Sequence, residues 1–151
     1  MIYAKSVGLF CNLDCKVGNL NDEELIAKMV VDTGMSGSCI YNTWESRAIQ
    51  CALGIRSIDS NAGFVWKYTV IENIPFDQLG IDLKKNYVWC PANEVTQDVY
   101  NFIKNKGCSI MISNVDNNNY ISAMNFKPDM IEFLSGVDAN YLQKKYLTSL
   151  V

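Results

Sequence analysis

Apolar positions along the chain recur in two rhythms, and together they lay out a sequence of elements. Ile2–Leu13 is rich in aliphatic and aromatic residues and reads as a strand, closed by the turn-forming run Lys16-Val17-Gly18-Asn19. Asn21 or Asp22 can cap a helix whose first turn carries Glu23 and Glu24, favourable against the helix dipole. Leu25, Ile26, Met29 and Val30 form its expected buried stripe, and Asp32-Thr33-Gly34 ends it. After a loop of small residues, Ile40, Trp44, Ala48, Cys51 and Ala52 recur at helical spacing, with Gly54 as the stop. Gly63–Glu72 alternates as a strand does, with Phe64, Trp66, Tyr68 and Val70 on one face.

The second half continues in the same way. The loop around Pro75 has room for a helical turn at Asp77–Gly80, and Tyr87–Cys90 is a short strand that Pro91 terminates. Asn93 precedes a helix with Val95, Val99, Phe102 and Ile103 as its core stripe and Gly107 as its end. Ser109–Val115 is a strand, and the polar tip Asp116–Asn119 suits a hairpin turn into a second strand, Tyr120–Phe126. Pro128 fits the first turn of a helix carrying Met130, Ile131, Phe133 and Leu134. Asn140–Leu150 is open between helix and extended chain. No linker or internal repeat interrupts this order. A mixture of strands and helices with a hairpin predicts a single α+β domain over residues 1–151, an antiparallel or mixed sheet with helices packed on it.

Composition narrows the setting. A length of 151 residues with 49% hydrophobic and 19% charged residues suits one globular domain that needs no staple. The net charge of −3 weighs against a nonspecific grip on nucleic acid or an anionic membrane. Acids concentrate locally: from Tyr68 to Leu83 stand Glu72, Asp77 and Asp82, with no base among them. No apolar run approaches the ~18 residues of a membrane span, and no signal-peptide pattern opens the chain. A cytoplasmic setting is expected, and there the scattered Cys11, Cys15, Cys39, Cys51, Cys90 and Cys108 would be reduced.

Chemistry enters chiefly as exclusion. The chain has no histidine, which removes Ser-His-Asp and Cys-His catalysis and every histidine-containing zinc site. Gly34–Ser38 lacks the Lys-Ser/Thr of a phosphate loop, and Cys11-x-x-x-Cys15 has no second tight pair to complete a zinc site. Cys39 near an expected helix start could be activated, but its base would have to be a carboxylate or lysine. Asp129 and Glu132 share a helix face in this reading, where the helix dipole accounts for them better than a metal. Trp44, Trp66 and Trp89 sit in apolar runs as core. No catalytic residue, metal or cofactor is expected from these patterns.

From Cys51 to Tyr146 the layout resembles small α+β immunity proteins of bacterial polymorphic and contact-dependent toxin systems. The shared features are a helix ending in Leu53-Gly54-Ile55, a strand with Gly63 and Trp66, a helix ending Lys106-Gly107, a hairpin and a closing helix at Asp129–Leu134. The resemblance carries no functional residues. It implies a non-enzymatic protein that occludes a protein partner such as a basic toxin domain, and the acidic Glu72, Asp77 and Asp82 are the expected contact surface. Two other classes stay open: a small-molecule or nucleotide-binding regulatory domain, and a histidine-free enzyme using cysteine, lysine or carboxylates. The thiol reading is checked by alkylation of the unfolded, unreduced chain: six modified cysteines are expected, and a mass short by paired hydrogens overturns it.

Overall fold

The computed structural model describes residues 5–6, 8, 10–14, 20–42, 47–80 and 85–149. They form two compact units, residues 1–87 and 88–151. The first holds β1 (Cys11–Asp14), α1 (Leu20–Asp32), β2 (Cys39–Asn42), α2 (Ala48–Ile58) and β3 (Gly63–Lys67). A 3-10 turn (Ile71–Asn73), α3 (Phe76–Leu79) and the start of β4 (Asn86–Pro91) follow. The second holds the rest of β4, then α4 (Gln97–Asn105), β5 (Ser109–Val115), α5 (Tyr120–Asn125), β6 (Met130–Phe133) and α6 (Ala139–Ser149).

In the first unit β1 pairs parallel to β2 and β2 parallel to β3, with Leu13 opposite Tyr41 and Tyr41 opposite Phe64. Side chains alternate across a strand, so Tyr41, Phe64 and Trp66 share one face. Their rings form a ladder, with centroids 6.1 Å apart for Tyr41–Phe64 and 5.6 Å for Phe64–Trp66. Phe76 of α3 closes it edge-on against Trp66 at 5.6 Å. The buried indole is satisfied, because Trp66 Nε1 donates to Asn86 Oδ1 at 2.6 Å. Gly63 lies on the other face, where an added Cβ would meet the Lys85 carbonyl oxygen at 2.8 Å and Ile40 at 3.0 Å. Only a residue without a side chain admits that approach.

Asp59, buried at the end of α2, ties the helix back to the sheet. It accepts from the Ser36 hydroxyl, from Tyr41 Oη at 3.2 Å and from the Asn61 amide at 3.1 Å. In the second unit β5 pairs parallel to β6, with Met111 opposite Met130 and Ile112 opposite Ile131. The Thr96 side chain caps α4 by accepting from the Val99 amide, and Gly107 at φ 77° ends that turn.

The strands hydrogen-bond in chain order, β1-β2-β3-β4-β5-β6, and every pairing with a described register is parallel. This corrects the expected antiparallel or mixed α+β sheet: the chain is a β/α repeat with helical crossovers. The error is traceable to two segments. Asp116–Asn119 is not a hairpin tip, since the Asp116 carboxylate accepts from the amides of Asn118 (2.7 Å) and Asn119 (3.0 Å) and starts α5. Tyr120–Asn125 is therefore a crossover helix, and the apolar run after Pro128 is the strand β6 rather than a helix. Earlier, Ile40 belongs to a strand rather than to a helix running on to Ala52, and α2 continues through Gly54 to Ile58. In α1 the buried face is Glu23, Ala27 and Val30, while Leu25 and Met29 are exposed.

These assignments predict a sharp contrast. Phe64→Ala, at a fully buried site, should cost about 3–5 kcal/mol, whereas Leu25→Ala should stay within about 0.5 kcal/mol. Urea unfolding of the two variants checks it, and equal losses would mean that α1 presents a different face.

Candidate functional site

A parallel β/α sheet gathers the carboxyl ends of its strands along one edge, and in β/α barrels that edge hosts the chemistry. In the first unit it carries polar residues that the hydrophobic rhythm does not require. Asp14 ends β1 and is directly paired with Asn42, which ends β2. Asn42 pairs in turn with Val65, and Lys67 ends β3 two residues beyond. By alternation Asp14, Asn42 and Lys67 therefore stand on the same face. Asp14 is exposed, and Asn42 and Lys67 are half-buried.

The first turn of α1, the helix after β1, meets the start of α2, the helix after β2. Arg47 Nη2 lies 3.5 Å from Glu23 Oε1, with the Arg47 side chain about a third exposed (31%) and Glu23 almost fully enclosed (4%). The second oxygen, Glu23 Oε2, is buried without a hydrogen-bond partner. A buried carboxylate with one oxygen unmatched is costly in free energy. Burial first, then the neighbouring Glu23 carboxylate, push the Cys51 thiol up to about 12, against the opposing pull of Arg47.

The opposite edge holds a small pocket of about 80 Å³, bordered by Phe10, Cys39, Ile40, Gly63, Lys85 and Tyr87. It is far below the volume of an ordinary small-molecule site, roughly 300–1,000 Å³. In the second unit three acidic or amide side chains are committed to structure, while the buried Ser113 hydroxyl has no hydrogen-bond partner. Asp116 and Asn119 close their own turn, and Asp129 accepts from Lys104 Nζ at 2.6 Å and from the Ile110 amide at 2.8 Å. Among the described residues no three metal-ligating side chains converge.

The acidic surface expected from sequence is only partly placed. Glu72 is exposed in the 3-10 turn, Asp77 lies in α3 with its side chain outside the described residues, and Asp82 falls outside them altogether. Cys15 and Trp44 lie outside as well. Cys39 begins β2, not a helix, and burial with Cys11 beside it pushes its thiol up to about 11, so it is not the activated thiol a helix start would give. Sequence reading passed over Asp14, Asn42, Lys67 and the Glu23–Arg47 pair. Their only signal was a polar residue closing each apolar strand, meaningful once the strands are known to be parallel.

No protein-family model matches the chain, and no curated protein matches it. Solved structures do. A protein of Galdieria sulphuraria assigned as a glycerophosphodiester phosphodiesterase superposes with a TM-score of 0.70 at 10% identity, over 97% of this chain and 61% of its own. A glycerophosphoryl diester phosphodiesterase of Parabacteroides distasonis gives 0.66 at 16% identity, over 93% and 50%. The chain is built like part of those proteins. At such identities the likeness speaks for the fold, and the chain spans only half to three fifths of their length. It overturns the resemblance to immunity proteins, and with it the toxin-occluding, non-enzymatic reading, because that layout required a hairpin and a closing helix where a crossover helix and a parallel strand stand. No helix among the described residues is long and apolar enough to cross a membrane.

The thiols make a pH prediction. Burial is the leading cause that raises Cys39 and Cys108 to about 11 and Cys51 and Cys90 to about 12. The unfolded chain releases these protons near its ordinary thiol pKa of about 8.5, before the folded chain does. Stability should hold below that pH and fall as pH rises toward 11–12. Unfolding midpoints measured across pH 7–11 check it, and a flat profile would place the thiols in water.

Proposed function

We propose that the chain binds a phosphodiester at the carboxyl edge of its parallel strands and acts on esters of that class. The observation that carries this is the match over 97% of the chain to a protein assigned as a glycerophosphodiester phosphodiesterase. The edge residues suit the task. Arg47 and Lys67 supply cations for the charge on a phosphodiester, which grows at the leaving and attacking oxygens during displacement. With no histidine, a carboxylate can carry proton transfer, and Asp14 is an exposed one among the described residues of this edge. Asn42, its direct partner in the sheet, can donate to a phosphate oxygen or to a hydroxyl of the alcohol portion.

A second reading keeps the ligand and drops the reaction. The chain has no histidine, and its described residues hold no convergent group of three metal ligands, so a site that retains a phosphodiester without cleaving it fits the same edge. One set of measurements separates the two. The chain is incubated with glycerophosphodiesters and with bis(4-nitrophenyl) phosphate, with and without Mg²⁺, while binding is followed by calorimetry. Turnover that falls about 100-fold or more in Arg47→Ala or Lys67→Ala supports the first reading. Saturable binding without turnover, lost in the same variants, supports the second. Neither turnover nor binding would overturn both.

A further inference from the structure

At the amino edge of the first unit the fold brings two cysteines side by side. Cys11 is the first residue of β1 and Cys39 the first of β2, and they are direct register partners in the parallel pair. Both are free thiols. Directly paired residues project to the same face, and neighbouring strands stand about 4.8 Å apart, inside the Cα separation of roughly 4.4–6.8 Å that a disulfide spans. Their exposures differ. Cys39 is 1% exposed, while Cys11 is half-buried on β1, the first strand in the sheet order. No other two cysteines among the described residues are register partners.

We propose that Cys11 and Cys39 are a reversible oxidation site, a dithiol that a low-molecular-weight disulfide such as oxidised glutathione converts to an interstrand disulfide between β1 and β2. Cys11 is the attacking sulfur, because it is the one that solvent reaches. Its thiolate displaces one glutathione thiolate and leaves a mixed disulfide on Cys11. Cys39 then gives its proton to solvent, and its sulfur attacks Sγ of Cys11, expelling the second glutathione. Two protein thiols lose two electrons and two protons, and one oxidised glutathione becomes two reduced ones. Burial and the adjacent Cys11 keep Cys39 protonated at neutral pH, so it reacts as the slow, resolving partner rather than with outside electrophiles. The bond would close the loop that contains α1 and fasten β1 to its only described neighbour.

The test uses the purified full chain, incubated with oxidised glutathione at neutral pH, quenched by alkylation and digested without reduction. Mass spectrometry should find the chain lighter by two hydrogens, with one linked peptide joining Cys11 to Cys39, restored to free thiols by dithiothreitol. The variant Cys39→Ser should stop at the mixed disulfide on Cys11. Three results would overturn the proposal: a link from Cys11 to Cys15 instead, a mixed disulfide on the unaltered chain that never resolves, or no thiol loss from folded chain under conditions that oxidise unfolded chain. The linkage map on the unaltered chain decides the question even where Cys39→Ser fails to fold.

Discussion

Two parallel strands cannot be joined by a tight turn, and the architecture follows from that constraint. Each strand must be carried back past its whole length before the next can pair, so a crossover, usually helical, falls between neighbours. Both faces of such a sheet are then covered, and the strands become apolar on both sides. β3 illustrates it: Gly63, Phe64, Val65 and Trp66 are all buried, and only Lys67 at the end emerges. Where the faces are closed, the ends of the strands become the places at which polar side chains can meet a ligand.

How far this could be read from residues alone differs by segment. β5 at Ser109–Val115, the turn at Gly107 and the strand beginning at Gly63 were legible from their period or stop residue, and α1 was legible as a helix although it begins at Leu20, ahead of the expected caps Asn21 and Asp22. The direction of the strands was not. Tyr120–Asn125 carries apolar residues that fit either rhythm, and the Asp-Asn-Asn-Asn run before it serves equally as a hairpin tip or as a helix start. The backbone amides that Asp116 accepts decide between them, and a helix there turns an antiparallel neighbour into a parallel one. One misjudged turn thus changed the fold class. The phase of α1 failed for another reason: its inward face begins with Glu23, a residue that polarity assigns to solvent.

The candidate site was almost invisible in the sequence. Asp14, Asn42 and Lys67 are far apart along the chain and are brought onto one face only by register. Glu72, Asp77 and Asp82 share one short base-free segment of sequence, a proximity that says little about a shared surface. The absence of histidine was legible from the start, and it still shapes the chemistry. The described polar residues of this edge are a carboxylate, an amide and a cation, a set that favours charge stabilisation over proton transfer.

The hydrogen bond from Trp66 to Asn86 has an optical consequence. An indole with no exposed surface, its N–H held by one amide oxygen and its ring between Phe64 and Phe76, is shielded from water dipoles that relax around an excited state. Its emission should lie toward the blue and resist collisional quenchers such as iodide. Because Asn86 begins the strand next to β3, any loosening of that strand pair admits water to the ring. Trp66 is thus a built-in light gauge for one pairing in the middle of the sheet.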